Sequence, residues 1–301
     1  MSKVNIIGAA CIDILIKGYD KNLLLSNKHK VDDIKTYFGG DGLNEAVCLN
    51  HFGIDTKLVT ILGNDYHGKQ IINFLNEKNI KYNSNIIKDN IDTYVSIVLI
   101  DNDGERTFIG NKNGSVRKLS LDDISIDDDC KLVSFASLFI SEELKNNDLE
   151  ILFSKIKEKD IILCVDTSTA KHNERITDLS CLKYVDYFFL NEFEAKLLCN
   201  NDDIYKIESE IYKTGVKNVI IKCGSNGCFY KGKYHKYNLD DKPLDTTGAG
   251  DSFVSGFIYS LLNNNNSIEQ SLQIANKFGY NAIKYIGGNT WVDYIDKGDF
   301  K

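Results

Sequence analysis

Apolar residues along the chain follow two periods. Near the N-terminus, Val4-Asn5-Ile6-Ile7-Gly8 is a short apolar run closed by glycine, and a second β-rich stretch over 12–16 carries Asp13 near its start. The pair reads as one buried strand turning into another. After a polar segment, Tyr37-Phe38-Gly39-Gly40-Asp41-Gly42 precedes Leu43, Ala46, Val47, Leu49 and Phe52, whose spacing is helical. A glycine-rich loop therefore opens onto a helix N-terminus. Further on, the pattern predicts a strand over 58–62, a helix over 70–78 and a strand over 93–101. Asn102-Asp103-Gly104 then makes the turn into a second strand at Arg106-Thr107-Phe108-Ile109.

From about residue 131 strands and helices alternate regularly. Strands over 132–135, 161–166, 187–190 and 218–222 are separated by helices over 148–159, 192–198 and 203–214. Such alternation predicts an α/β fold whose largely parallel sheet is covered by helices on both faces. The hairpin at 93–109 falls outside this rhythm and reads as a small β appendage. No Ser/Pro-rich linker and no internal repeat interrupts the chain, so one main domain over 1–301 is the economical reading. Ligands bind to such sheets beyond the carboxyl ends of the strands.

Composition narrows the function classes. With 43% hydrophobic residues, 301 residues bury a sizeable core. The 36 lysines and arginines against 43 aspartates and glutamates leave a formal charge of −7, which argues against nucleic acid as a main partner. Eight cysteines show no paired framework, and neither they nor the five histidines have zinc spacing. Met1-Ser2-Lys3-Val4 runs straight into an apolar strand, and no apolar run approaches the roughly 18 residues needed to cross a bilayer. A soluble protein of a reducing cytoplasm, with no membrane partner, is the expectation.

Three segments carry chemistry. Asp245-Thr246-Thr247-Gly248-Ala249-Gly250-Asp251-Ser252-Phe253 precedes an apolar helix, and Gly248 and Gly250 let backbone N–H groups converge at its N-terminus. This is a cradle for an anion the size of a phosphate. Asp251, in the first turn beside it, is placed to take a proton from a hydroxyl attacking a γ-phosphoryl group. The second segment is Gly39-Gly40-Asp41-Gly42-Leu43-Asn44, where two glycines allow close approach to a ligand and Asn44 offers a donor and an acceptor to hydroxyls. Asp13, within an apolar strand, needs a polar partner, either structural or a polyol. In the third, Asn191 and Glu194 lie one helical turn apart after a strand. They would face a hydrated magnesium ion or cap the helix. Lys222 then ends a strand before the turn Gly224-Ser225-Asn226-Gly227, within reach of a nucleotide phosphate or simply heading a hairpin. Trp291, after Gly287-Gly288-Asn289-Thr290, lines a loop or packs.

In this order the segments resemble the PfkB, or ribokinase-like, carbohydrate kinases, through a GG-x-G-x-N loop at 39–44 and a DTxGAGD box at 245–251. The resemblance covers essentially the whole chain. It implies a three-layer α/β/α sandwich with a β-sheet lid, here from about 12–38 and 93–113, that closes over the sugar and often pairs two copies into a homodimer. By the same resemblance Asp251 is the catalytic base, with Gly248, Ala249 and Gly250 as anion hole. Asp13, Gly39, Gly40, Asp41 and Asn44 hold the sugar, and Arg106 either faces it from the lid or makes a salt bridge within the hairpin. Asn191 and Glu194 match the motif that organises magnesium and phosphates. Lys222, Gly224 and Gly227 match the nucleotide-binding turn, and Asn276 lies near the adenine. Asp245, Thr247 and the Gly287-Gly288 loop stand where many members hold a monovalent cation such as K+.

The implied partners are a small sugar and ATP with Mg2+. Ribokinases carry Lys where this chain has Asp41, which favours a hexose or ketose over a pentose. A nucleoside or phosphosugar kinase would share the anion hole and base, and a phosphosugar would call for a second basic cluster, which is not evident. A binding protein without activity would not need Asp251 and both glycines. A dinucleotide oxidoreductase would need an early G-x-G-x-x-G, which is missing.

Overall fold

Successive side chains of the strands enter different cores. In the computed structural model, which describes residues 3–20, 30–101, 106–168, 178–237, 242–263 and 266–300, Phe188 and Leu190 of the strand Tyr187–Asn191 join one hydrophobic cluster and Phe189 joins another. Leu163 and Val165 divide from Cys164 in the same way, as do Val219 and Ile221 from Ile220. This is the period-two signature of a sheet buried on both faces. One face carries the helices Asp41–His51, Tyr66–Glu77, Ala249–Asn263 and Ile268–Ala282; the other carries Asn146–Glu158, Glu192–Cys199 and Ile204–Tyr212.

The strands of the large sheet lie in the order Lys233–His235, Cys228–Tyr230, Val219–Lys222, Tyr187–Asn191, Ile162–Thr167, Cys130–Leu138, Lys3–Ile7, Asp55–Val59 and Lys81–Tyr82. Pairings are parallel except at the edge formed by Cys228–Tyr230 and Lys233–His235. The chain proceeds from Lys3–Ile7 to one side and later returns to the other. The strand order therefore reverses at Lys3–Ile7, and a crevice opens beyond its carboxyl end. A separate sheet pairs Asp33–Gly39, Cys11–Tyr19, Val95–Asp101 and Arg106–Gly110 in that order. Its strand Cys11–Tyr19 follows directly on Lys3–Ile7, so the small sheet stands at the crevice. Ile34 and Ile109 on it are 62% and 51% exposed.

Side-chain caps set several boundaries that differ from the expected ones. The predicted 58–62 strand is two, Asp55–Val59 and Leu62–Gly63, because the Asn83 side chain accepts the Thr60 N–H and interrupts the ladder. The second helix begins at Tyr66, since Asp65 accepts the Gly68 N–H as its cap. The helix expected from 203 begins at Ile204 for the same reason, with Asp203 as cap. The helix Ile268–Ala282, with a Ser267–Gln270 capping box, was not among the expected elements. The predicted turn at 102–104, His29, His172 and parts of both lid segments lie outside the described residues. All eight cysteines are free. Among the described residues no helix is long and apolar enough to cross a membrane.

The helices Ala249–Asn263 and Ile268–Ala282 pack at Gly256, where a Cβ would stand 2.7 Å from the Phe278 ring and 3.0 Å from the Ala275 backbone. Trp291, wholly buried beside Phe52, Phe278 and Phe300, donates its indole N–H to Ser252 Oγ at 2.9 Å. That bond ties the C-terminal segment to the first turn of the helix carrying Asp251. Gly256→Ala gains helix propensity of about 1 kcal/mol but overpacks the contact at a cost of about 1–3 kcal/mol. The expected net effect is a lower urea unfolding midpoint; a raised midpoint would show that the two helices do not pack this closely.

Candidate active site

Residues from five parallel strands meet at the crevice. The carboxyl ends of Lys3–Ile7, Cys130–Leu138, Ile162–Thr167, Tyr187–Asn191 and Val219–Lys222 deliver, respectively, the Gly8-Ala9 loop, Ser137, Asp166, Asn191 and Lys222. The two glycine-rich loops recognised in the sequence face each other there. Gly40 has φ 97° and leads into the helix bearing Asn44, and Gly248 has φ 72° and leads into the helix bearing Asp251. Only glycine holds the Gly248 backbone without strain, and a Cβ there would also strike Gly288 O.

Asn44 and Asp251 join the two loops. Asn44 Nδ2 donates to Asp251 Oδ2 at 2.7 Å, and Asn44 Oδ1 accepts from Asn289 Nδ2 at 2.8 Å. Asn289 Nδ2 also reaches Phe38 O at 2.8 Å, so the asparagine pair is fixed from both sides. Burial raises the Asp251 carboxyl above its ordinary value; Asn44 and Lys222 oppose the rise and Glu194 adds to it. Asp13 leans over Gly39, whose Cβ would lie 1.9 Å from its carboxylate. Burial pushes Asp13 up to about 6, with hydrogen bonds from Cys11 and Ser96 opposing and the charges of Asp245 and Asp251 adding. Asp13 against Gly39 and Asn44 bonded to Asp251 thus place a cluster of polar groups at the start of the first helix.

On the other side of Asp251 is a cavity of about 220 Å³, lined by Lys222, Gly224, Gly227, Ala249, Gly250 and Asn276 among others. Lys222 lies over the turn, its ammonium 3.2 Å from where a Gly250 Cβ would be. It is ion-paired with Asp166 at 2.5 Å. Burial would lower its pKa, but Asp166, Glu194 and Asp251 together raise it, so it stays charged. Asn276 Nδ2 donates to His235 O at 2.9 Å at the cavity wall. The first-turn amides of the helix Ala249–Asn263 have no i−4 carbonyl within the helix and favour an anion at this end.

Several of the expected residues have protein partners that bear on their roles, and Asn191, Glu194 and Trp291 take the structural alternative of their two readings. Asn191 and Glu194 form the capping box: Asn191 Oδ1 accepts the Glu194 N–H, and Glu194 Oε2 accepts the Asn191 N–H and the Thr167 hydroxyl. Among the described residues no group of three or more His, Cys, Asp or Glu could by itself hold a metal ion. Asp41, expected among the sugar contacts, accepts the Ala9 and Gly42 N–H groups and the Ser137 hydroxyl through Oδ1, clamping the loop to the sheet. Arg106, expected to face the sugar, binds Asp245 and Thr247, the two side chains expected at a monovalent-cation site. Trp291 packs.

The chain matches the pfkB family carbohydrate kinase description over residues 1–293. It belongs to that family of carbohydrate kinases. Among curated relatives, this kinase is 26% identical to the ATP-dependent 6-phosphofructokinase of Thermoanaerobacterium thermosaccharolyticum, over 96% of its own length and 90% of the relative's. It is 24% identical to the ribokinase of Dictyostelium discoideum over 96% of each chain. Among solved structures, the Sinorhizobium meliloti adenosine kinase superposes with a TM-score of 0.80 at 19% identity over 95% of each chain. The Arabidopsis thaliana ribokinase complexed with ribose and ATP superposes with a TM-score of 0.77 at 22% identity, over 100% of this chain and 98% of the other. These structures establish the ribokinase-like fold.

Asn289 and Asp166 escaped the sequence reading. Asn289 follows two glycines, a local sign of a loop, but nothing local gives its partner 245 residues away. Asn289→Ala should leave Asn44 Oδ1 without its donor and free the amide to turn from Asp251. Turnover of the kinase should fall about tenfold or more with the KM for ATP little changed. Unchanged turnover would show that Asn44 is held without Asn289.

Proposed function

We propose that this kinase moves the γ-phosphoryl group of MgATP to a primary hydroxyl of a free sugar, a hexose or ketose before a pentose. The observation that carries the reading is the position of Asp251. It lies between the polar groups of Asp13 and Asn44 and the cavity behind the Gly248–Gly250 turn, and its carboxylate is fixed by Asn44. ATP lies in that cavity, between the Gly224–Gly227 turn and Asn276, with its γ-phosphate over the turn at 248–250. The small sheet serves as the lid over the sugar.

In the transfer, the sugar hydroxyl oxygen attacks the γ-phosphorus and the bond from that phosphorus to the bridging oxygen breaks, releasing ADP. Asp251 takes the hydroxyl proton, and its raised pKa brings it closer to the acidity this task needs. The N–H groups of Gly248, Ala249 and Gly250 and the Lys222 ammonium meet the charge that develops on the equatorial oxygens. Magnesium would come with the nucleotide and offset phosphate charge, and Glu194 would be the carboxylate placed to orient its water. A free sugar is favoured over a phosphosugar because, among the described residues, Lys222 is bonded to Asp166 beside the 248–250 turn and Arg106 to Asp245, and neither is bonded to Asp13 or Asn44 on the acceptor side. Asp13 and Asn44 remain to order hydroxyls.

ADP release should be followed across pentoses, hexoses, ketoses, phosphosugars and nucleosides. The expected result is one or a few free sugars as acceptors, with turnover abolished in Asp251→Asn while nucleotide binding is kept. Wild-type turnover in Asp251→Asn would sink the base assignment, and fructose 6-phosphate as the best acceptor would sink the free-sugar assignment. The pKa shifts also set a pH dependence. Asp251 and Asp13 must be ionised to act, and both are raised. Turnover should therefore fall on the acid side with a midpoint above the usual carboxylate value of about 4, and the KM for sugar should rise as pH drops through about 6. A KM that stays level down to pH about 5 would remove Asp13 from sugar binding.

A further inference from the structure

Arg106 begins the last strand of the small sheet, yet its guanidinium is built into the large domain. Nη2 bonds Asp245 Oδ1 and Nη1 bonds Thr247 Oγ1, each at 2.7 Å. Asp245 is 2% exposed, and its carboxylate is filled from three directions. Oδ1 also accepts the Thr247 N–H at 2.8 Å, and Oδ2 accepts the Gly287 N–H at 2.9 Å. Burial alone would raise the Asp245 carboxyl; the Gly287 and Thr247 bonds and the Arg106 charge outweigh it and hold the group below its ordinary value. Asp245 is therefore an ionised, buried carboxylate whose counter-charge is a protein side chain.

The family resemblance puts a monovalent cation at these same positions. The two side chains as arranged do not fit one. An alkali cation is held by oxygen lone pairs turned toward it, whereas the Asp245 oxygens face N–H donors and Thr247 Oγ1 faces a guanidinium N–H. A second positive charge in contact with Arg106 would also be repelled. Burying Asp245 requires one counter-ion, and Arg106 supplies it with a planar fork matched to a carboxylate and a neighbouring hydroxyl.

We infer that Arg106 is the resident cation of the phosphoryl-transfer site, in place of the K+ or Na+ that other members recruit, so that this kinase works without a monovalent ion. The turn that follows Asp245 and Thr247, residues 248–250, is then held in shape by a charge delivered from the small sheet. The inference rests on reading that turn as the phosphoryl cradle, and its test includes an ion-binding readout that needs no acceptor sugar.

The test compares the full-length wild-type protein with Arg106→Met and Arg106→Lys, in KCl and in tetramethylammonium chloride at a matched concentration of roughly 100 mM. Thermal melting is read without substrate, and ADP release is read with the best acceptor. For the wild type, replacing tetramethylammonium by K+ should leave the melting temperature in place and change the rate by less than about twofold. Arg106→Met should lose about tenfold or more in rate without K+. K+ or millimolar guanidinium ion should restore much of that loss, and K+ should raise the variant's melting temperature. Arg106→Lys, which keeps the charge but not the fork, should lose less and gain little from K+. Strong stimulation or thermal stabilisation of the wild type by K+ would overturn the inference with no variant needed. So would a folded Arg106→Met protein whose loss neither ion repairs, since Arg106 would then act elsewhere. If no acceptor is turned over, the free-sugar kinase reading fails while the melting comparison still decides the ion question.

Discussion

The hydrogen bond between Asn44 and Asp251 is the constraint on which the rest of the site depends. The two residues are 207 positions apart and begin different helices on the same face of the large sheet. A half-buried carboxylate such as Asp251 is costly unless donors meet it, and the Asn44 amide is a donor fixed in turn by Asn289. Trp291 then ties the C-terminal segment to Ser252, next to the carboxylate. These three bonds together bring the glycine loop of the first helix, the 248–250 turn and the C-terminal loop into register.

Charge balance is the second constraint. The crevice gathers Asp13, Asp41, Glu45, Asp166, Glu194, Asp245 and Asp251, and burial pushes several of these up, Asp41 to about 7 and Asp13 to about 6. Glu45 is wholly buried, with Ser134 donating to its carboxyl, and burial raises it well above its ordinary value. Lys222 and Arg106 supply opposite charge to two of these acids. Lys222 pairs with Asp166 beside the anion turn, and Arg106 pairs with Asp245 beneath it. Both positive charges adjoin the 245–251 segment, where the proposed reading seats the transferred phosphoryl group, while Asp13 and Asn44 offer a carboxylate and an amide to the proposed acceptor. This asymmetry suits a reaction in which charge moves on one side of Asp251 and an uncharged acceptor waits on the other.

What was legible in the sequence is what local chemistry determines. The alternation after residue 131 gives the parallel sheet because each strand must bury both faces, as Phe188 and Phe189 do into opposite cores. The 245–251 box and the 39–44 loop were readable because glycine and acid at those spacings serve a turn and a helix N-terminus wherever they occur. Asn191 and Glu194 stayed ambiguous, since capping and magnesium binding ask for the same two residues at the same spacing; the capping box is what forms. The partners of Arg106, Asp166 and Asn289 were not legible. Their separations of 139, 56 and 245 residues are set by how the sheets fold over one another. Arg106 in a hairpin suggests a ligand facing it or a neighbour in the hairpin, and only the docking of the small sheet brings it to Asp245.

The most direct measurement is a crystal structure of the protein with a non-hydrolysable ATP analogue and its acceptor sugar. The γ-phosphate mimic is expected over the turn at 248–250 and a primary hydroxyl of the sugar within about 3 Å of the Asp251 carboxylate, with Asn44 still bonded to Asp251. A nucleotide bound away from the 248–250 turn, or a sugar whose hydroxyls reach Asp13 and Asn44 but leave Asp251 without a contact, would contradict the proposed transfer.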